Sequence, residues 1–312
     1  MTRRDGLSSS AVETLAGFTA GVATTLAVHP LDLVKTRLQV DRSSPARFGS
    51  SVQIIRGIYA NEGGIRAFYR GLAPNLIGNS TSWALYFFFY GSLKEMACHY
   101  RGQPVHQLKS SDYFLTSGAA GVLTALMTNP IWVIKTRMLA TGANSPGAYS
   151  SVISGVRHLY HTEGLRGFYR GLVPSLFGVS HGAFQFMAYE KLRALWPTES
   201  SKSEIFSNTA VSPSQKNFSV LDTFAISGMS KVFAGCVTYP YQVIRARLQI
   251  LEAQMLYRGA MDAVRQVWTK EGISGFYRGL GPNLIRVLPS TWVTFVVYEH
   301  MKATLPSDKG KV

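Results

Sequence analysis

An eight-residue stretch that begins with proline occurs three times in this chain, and no other feature restricts the possible folds as much. The three copies are Pro30–Arg37, Pro130–Arg137 and Pro240–Arg247. About thirty residues later comes a second repeated segment, an acid–glycine pair followed by an aromatic–Arg–Gly triplet. Its copies are Glu62–Gly71, Glu163–Gly171 and Glu271–Gly279. The copies are about a hundred residues apart, far more than the 20–50 residues typical of solenoids. The sequence therefore predicts one large unit used three times around a pseudo-symmetry axis, with the functional site at its centre.

The chain has 312 residues, of which 46% are hydrophobic, and a formal net charge of +15. Such a charge is typical of a nucleic-acid binder or of a membrane protein that handles anions among anionic lipids. The apolar runs favour the second interpretation, because six of them are long enough to cross a bilayer core of roughly 30 Å. These six candidate spans, two in each repeat, are residues 15–33, 72–93, 113–134, 172–192, 218–244 and 280–297.

Every candidate span is interrupted by residues of the set serine, threonine, asparagine and glycine. Polar residues inside a membrane span usually face the protein interior or a wet cavity, so the interruptions predict a cavity lined by these helices. Two cysteines, Cys98 and Cys236, form neither a disulfide framework nor a metal cluster, and no metal site is expected. Residues 1–8 lack the apolar region of a secretory signal.

Each repeat is predicted to contain a long helix kinked at its proline, a loop, a short amphipathic surface helix, and a second long helix that begins near another proline. The predicted helices are residues 12–39, 51–59, 74–96, 111–139, 151–161, 174–195, 218–250, 261–268 and 282–304. The pattern Gly17-Phe-Thr-Ala-Gly21 predicts close helix–helix contact in the first of them. The predicted repeats cover residues 11–98, 111–196 and 218–305, and the Ser-rich residues 197–217 form a polar linker.

This arrangement resembles the mitochondrial carrier family over essentially the whole chain. The family's signature of a proline, an acid position and two bases occurs in triplicate, with the acid itself in the first copy, and each copy is followed by the acid–glycine and aromatic–base–glycine partners. The resemblance implies an all-α membrane protein with six transmembrane helices and three short amphipathic helices on the matrix side. It also implies alternating access about one central site for anionic metabolites. We expect a monomer in the inner mitochondrial membrane with both termini facing the intermembrane space, and neither enzyme activity nor a cofactor.

In this family, a matrix gate joins the acid of one signature to the base of the next. The acid positions here are Asp32, Trp132 and Gln242, and the base positions are Lys35, Lys135 and Arg245. Only Asp32 with Lys135 is expected to form an ion pair. Gln242 can accept a hydrogen bond from Lys35, and Trp132 can offer Arg245 a cation–π contact or serve only in packing. Gln39 and Gln249 match the glutamine braces of the gate, whereas Leu139 cannot brace.

Lys35 and Arg245 have no acid at the matching positions, so we expect them to bind the substrate anion or to stay hydrated and attract anions. The family's outer gate has the pattern aromatic–acid–x–x–base on the second helix of each repeat. The matching residues are Lys94, Glu190, Arg193, Glu299 and Lys302, and Gly91 replaces the first acid. The resemblance further implies cardiolipin binding at Gly71, Gly171 and Gly279, where helix N-termini suit lipid phosphates.

Several residues of the predicted cavity bear on the substrate. Lys231 stands where the other repeats have Gly21 and Gly121, and it either faces the cavity or extends to the outer surface. Arg286 matches the family's substrate contact point on the sixth helix. Three further residues on the fourth helix can stack on or hydrogen-bond a heterocycle, although a helical histidine is more often structural. These residues are Phe177, His181 and Gln185.

Three segments resemble the mitochondrial FAD and folate carriers within the family: Ser82–Tyr90, Ser180–Glu190 and Thr238–Arg247. The resemblance favours FAD as the transported substrate, with folate, NAD or a pyrimidine nucleotide as alternatives. The residues by themselves indicate only a large, flat, anionic molecule. A soluble enzyme is disfavoured because no phosphate loop, metal cluster or nucleophile motif is present. Two further alternatives are a nucleic-acid-binding protein and a protein with the carrier fold that serves as a receptor or scaffold without transport.

Overall fold

The computed structural model describes residues 9–42, 50–102, 108–142, 144–196 and 219–304. All regular elements in these ranges are helical, in agreement with the predicted all-α fold. The α-helices are α1 (Ser9–Val40), α2 (Ser50–Asn61), α3 (Leu72–Arg101), α4 (Ser110–Ala140), α5 (Val152–Phe168), α6 (Leu172–Phe177), α7 (Ser180–Leu195), α8 (Val220–Gln249), α9 (Ala253–Leu256), α10 (Ala260–Gly275) and α11 (Leu280–Thr304), with a 3-10 helix at Gly64–Tyr69. The predicted linker 197–217 lies outside the described residues.

The three signature prolines lie inside the long helices α1, α4 and α8, as predicted.

The predicted second helix of the middle repeat is interrupted between α6 and α7, at Gly178 and Val179. There the Gly178 and Val179 amides donate to carbonyls three residues earlier, at 2.9 and 3.1 Å, so the chain tightens into a 3-10-like turn. The acid–glycine pairs break the surface helices at positive φ, as at Gly164 (φ 61°) and Gly272 (φ 67°).

Helix packing joins neighbouring repeats. The most extensive helix pairs are α1 with α11, α3 with α4, and α7 with α8, whereas α1 has few contacts with α3. On α1, Ala16 and Ala20 are buried and lie on the same stripe as Thr24, whose hydroxyl is 2.7 Å from that of Thr294 on α11. The alanine stripe therefore faces α11.

The prediction that Gly17 and Gly21 allow close helix contact is wrong. A Cβ atom added at either glycine would meet no described atom within 4 Å. These glycines lie on a different face of α1 from the alanine stripe and leave open space beside α3.

A ring of arginines closes the bundle at the end where the three signatures lie, which we call the motif end. The last base of each signature donates from Nε to a backbone carbonyl of another repeat: Arg37 to Leu139 (3.1 Å), Arg137 to Gln249 (3.1 Å) and Arg247 to Gln39 (2.9 Å). The three acceptors occupy equivalent positions of the repeat. The ring is therefore cyclic, and each repeat is bonded to the next.

Each ring arginine also pairs with the glutamate of its own acid–glycine motif. The pairs are Arg37–Glu62, Arg137–Glu163 (2.7 Å) and Arg247–Glu271. Burial alone would raise the pKa of the Glu163 carboxyl, but hydrogen bonds from Arg137 and Gln254, with the charges of Arg137 and Arg170, hold the pKa below its usual value. The carboxylate is therefore ionised near neutral pH.

The residue before each signature proline holds the chain that leads into the next long helix. His29 Nε2 lies 3.0 Å from the Arg70 carbonyl, and Tyr239 donates to the Arg278 carbonyl at 3.1 Å. Asn129 donates to the Phe168 carbonyl at 2.7 Å. A carbonyl can only accept, so the His29 proton is on Nε2. Three different side chains thus support the same connection in the three repeats.

The predicted lipid-binding glycines occupy the sharp turns after these connections. Gly71, Gly171 and Gly279 have φ of 75°, 70° and 82°, a region that favours glycine. An added Cβ would meet Leu139 Cδ1 at 2.3 Å in the first turn and the Lys35 carbonyl at 2.9 Å in the third. These turns therefore need glycine both for their φ and for close contact with a helix of another repeat. The predicted contact with lipid stays a prediction.

By length and hydropathy alone, one helix of the described ranges, Ser111–Ala140, meets the requirements for crossing a membrane. The predicted layout of six spans therefore remains a proposal, and we take it up below.

Candidate substrate cavity

A cavity of about 370 Å³ lies on the axis, just inside the motif end. Among the described residues that line it, four are basic and one is acidic. The basic residues are Lys35, Lys135, Arg245 and Arg286, and the acidic residue is Asp32. Low-dielectric walls strengthen the field of such an excess of positive charge, so the cavity attracts anions.

The predicted gate contact between Lys35 and Gln242 is present in the structure. Lys35 Nζ donates to Gln242 Oε1 at 3.0 Å, and it also donates to Asn283 Oδ1 at 2.8 Å. Both acceptors are neutral, so they solvate the ammonium group without cancelling its charge. Sequence analysis did not identify Asn283, which lies next to the proline at the start of α11.

Trp132 makes the predicted contact with Arg245, and it contacts a second cation as well. The Arg245 guanidinium carbon lies 5.7 Å from the indole centroid, and Lys135 Nζ lies 4.8 Å from it. Trp132 also packs on α3, where a Cβ added at Gly78 would lie 3.5 Å from the indole. The ring therefore serves as a shared π-face for two cations at the floor of the cavity.

The acid of the first repeat does not pair with Lys135 as predicted. Among the described residues, Asp32 forms its ion pair with Arg286 of α11, with Oδ1 and Nη1 3.1 Å apart. The long arginine side chain reaches the carboxylate from α11, while the ammonium of Lys135 lies over Trp132. Arg286, which was predicted to hold the substrate anion, is thus paired with Asp32, the acid of the gate.

The two predicted glutamine braces lie directly below these contacts. Gln249 Oε1 accepts from the Thr136 hydroxyl at 2.8 Å, one turn along α4 from Trp132, and its Nε2 donates to the Arg170 carbonyl at 3.3 Å. Gln39 is buried, and its backbone carbonyl accepts the bond from Arg247 in the arginine ring. Gln249 thus joins two repeats under the aromatic contact.

The three predicted residues of the fourth helix do not all reach the cavity. His181 lines it, and its Nδ1 donates to Thr238 Oγ1 at 2.8 Å, because that hydroxyl donates its own proton to the Ala234 carbonyl. Phe177 and Gln185 are absent from its described lining. Tyr241, which sequence analysis did not identify, lines the cavity beside His181.

Lys231 lies in a separate cavity of about 300 Å³ between α8 and α11, not in the central one. A third cavity, of about 520 Å³, lies between α1 and α3 and shares Asp32 and Arg286 with the central cavity. Ser290 and Thr294 line both the third cavity and that of Lys231. These two hydroxyl residues of α11 therefore separate Lys231 from the Asp32–Arg286 pair.

At the opposite end of the bundle, no ion pair within the described ranges joins Lys94, Glu190, Glu299 and Lys302 of the predicted outer gate to one another. Lys94 and Lys302 instead lie over the rings of Tyr90 and Tyr298 one turn earlier on the same helix, at 5.4 and 5.5 Å. The structure thus brings the helices together at the motif end and leaves the predicted outer gate open.

Three repeats of helices around a basic cavity that is closed at one end define a carrier-type protein. The chain belongs to the mitochondrial carrier protein family, whose model matches residues 7–101, 106–200 and 216–309. The predicted family is therefore confirmed, and its named members in this comparison are transporters.

Among its relatives is the mitochondrial FAD carrier protein of Saccharomyces cerevisiae, 36% identical over 94% of this chain and 96% of the relative. Two relatives from Arabidopsis thaliana are the mitochondrial nicotinamide adenine dinucleotide transporter 2 and the chloroplastic folate transporter 1. The first is 40% identical over 92% of this chain and 77% of the relative. The second is 39% identical over 92% of both chains.

Proposed function

We propose that this protein transports FAD across the inner mitochondrial membrane by alternating access. The observation that carries the proposal is the central cavity, in which four basic residues surround one carboxylate and an indole ring forms part of the floor. A flavin dinucleotide has an anionic diphosphate and flat rings, which match these two kinds of group. The relationship to an FAD carrier supports this choice of substrate.

The proposal includes the six-span layout, with α1, α3, α4, the α6–α7 pair, α8 and α11 crossing the bilayer. The motif end then faces the matrix, and both termini face the intermembrane space. In this layout α1, α3, α8 and α11 turn polar faces to the cavity, which lowers their mean hydropathy, while α6 and α7 are each shorter than a full span. We further propose that the protein acts as a monomer and that cardiolipin phosphates bind at the turns of Gly71, Gly171 and Gly279.

In this proposal, the contacts at the motif end hold the matrix gate closed while the outer end is open. An incoming anion replaces Asp32 as the partner of Arg286, and Lys231 binds a second phosphate oxygen across Ser290. A ring of the substrate contacts Trp132, next to Tyr241 and His181. A bound substrate therefore weakens the ion pair of Asp32 with Arg286 and the contacts of Trp132. Binding is thereby coupled to the opening of the matrix side.

Uptake of radiolabelled FAD, folate, NAD and a pyrimidine nucleotide into liposomes that contain the purified protein tests the proposal. We expect saturable FAD uptake that liposomes without protein lack. A higher Vmax/KM for NAD or folate would replace FAD as the substrate, since the relatives with those names are 40% and 39% identical to this chain and the FAD carrier is 36% identical. Absence of uptake of all four compounds would contradict the transport proposal.

A further inference from the structure

We propose that the 520 Å³ cavity between α1 and α3, which we call the side slot, binds a planar aromatic ring of the transported anion, with Trp83 as the stacking residue. This inference rests on the proposed function and adds a second ring site to it. Its lining includes Gly17 and Gly21 on α1, Asn79 and Trp83 on α3, and Arg286 on α11.

The shape of the side slot suits a flat group. Gly17 and Gly21 form part of its lining, and a Cβ at either position would meet no described atom within 4 Å. The two glycines therefore leave open space on α1 between the side chains of Phe18 and Val22, which line the same cavity. Trp83 on α3 belongs to the same lining, and its indole is stacked with Phe87 at 5.7 Å and an interplanar angle of 24°. The neighbouring ring orients the indole and leaves it 63% exposed to accept another ring.

The side slot combines apolar and hydroxyl residues, which suits a heterocycle better than a lipid chain. Phe18, Val22, Val28 and Leu76 provide apolar contacts for the face of a ring, and five hydroxyl residues can bind its polar edge, where a hydrocarbon tail would leave them without partners. Asp32, Asn75, Asn79 and Arg286 line both the side slot and the central cavity. A ring in the side slot can therefore be covalently joined to an anion held by Arg286.

An aromatic side chain lines each of the two cavities that share Arg286. Trp132 belongs to the central cavity and Trp83 to the side slot, and Arg286 belongs to both. A substrate with two ring systems joined by an anionic linker fits this order of groups. We infer that the site recognises dinucleotides better than mononucleotides, because a single ring leaves one of the two surfaces without a partner.

The test is substitution of Gly21 by leucine, with Gly118→Leu as the matched control. Gly118 is also a helical glycine whose added Cβ meets no described atom within 4 Å, but it lies on α4 outside the lining of the side slot. A Cβ at either position meets no described atom within 4 Å, so the two sites are matched in local space, and uptake is compared at equal protein incorporation. We expect Gly21→Leu to raise the KM for FAD at least tenfold in proteoliposomes, and Gly118→Leu to leave it within twofold. Trp83→Leu should also raise it, and Trp83→Phe should raise it less.

Thermal stabilisation of the detergent-solubilised protein by FAD and by FMN separates this inference from the proposed function. We expect FAD to stabilise the wild type more than FMN does, and Gly21→Leu to remove that difference. If the wild type is stabilised in this way but takes up no FAD, the transport proposal fails and the side slot stands. Equal KM and equal stabilisation for wild type and Gly21→Leu would overturn the side slot. A wild type that neither compound stabilises and that takes up no FAD would overturn both.

Discussion

Replacing Asp32 by asparagine should tighten substrate binding while slowing transport. The Asp32 and Arg286 charges are 3.1 Å apart, so at an effective dielectric constant of 20 their attraction is about 5 kcal/mol before solvation is subtracted. The Arg286 side chain remains 35% exposed, so water replaces much of this attraction. A charged hydrogen bond of this kind contributes about 1.5–3 kcal/mol net. A substrate phosphate must overcome this contribution to bind Arg286.

Without the carboxylate, the substrate does not compete for Arg286. Since 1.4 kcal/mol corresponds to a factor of ten in affinity, we expect the KM for FAD to fall about tenfold in Asp32→Asn. Vmax should fall too, because no acid replaces the substrate on Arg286 during release. Initial rates in proteoliposomes at matched protein incorporation measure both quantities, and Asp32→Glu, which keeps the charge, is the control. A KM equal to or above that of the wild type would show that the ion pair does not compete with substrate.

Three further predictions concern separate contacts. Trp132→Leu removes the ring shared by Lys135 and Arg245, at a cost of about 0.5–2 kcal/mol per contact, so FAD uptake should fall, and Trp132→Phe should keep a part of it. Normal uptake by both variants would leave Trp132 with a packing role only. Lys231→Ala should strongly reduce FAD uptake and Lys231→Arg should reduce it less; wild-type uptake by Lys231→Ala would remove this residue from the site. Glu163→Gln leaves Arg137 buried without its carboxylate and should destabilise the protein by about 3–5 kcal/mol at pH 7. Because the folded-state pKa of Glu163 is lowered, its stabilisation is present above the unfolded pKa of about 4.3 and is lost as the pH falls further. The melting temperatures of the wild type and Glu163→Gln should therefore converge as the pH is lowered from 7 to 3.5. Glu95→Gln, at an exposed position, is the control.

Two contacts between equivalent positions of the repeats could be predicted, because the resemblance to the carrier family implies a gate that joins each signature to the next and the distance from the proline identifies its residues. This is why the contacts of Gln242 with Lys35 and of Trp132 with Arg245 were predictable. Arg286 could not be placed in the same way, since its counterparts in the other repeats are Gly78 and Gly178. The symmetry of the repeats predicts no partner for a side chain that occurs in one repeat only. An arginine side chain is also long enough to reach several different partners.

The arginine ring escaped prediction for another reason. Its acceptors are backbone carbonyls, which every residue has, so nothing in the sequence marks them. The alanine and glycine faces of α1 were equally hard to separate. Small residues permit close packing and also open a cavity, and only the position of the neighbouring helix decides which occurs. The break at Gly178 depends likewise on a local choice between two hydrogen-bond patterns of similar energy.

The cyclic order of the contacts has a consequence for how this protein is made. The last bond of the arginine ring runs from Arg247 to the carbonyl of Gln39, and α1 packs most extensively on α11, the final helix of the described chain. The alanine stripe of the first helix must therefore stay unburied until the last helix has been synthesised and has arrived beside it. Contacts this distant in sequence make folding slow. A chain that stops before residue 280 would lack the helix on which the alanine stripe of α1 packs, so its first helix would keep that face uncovered.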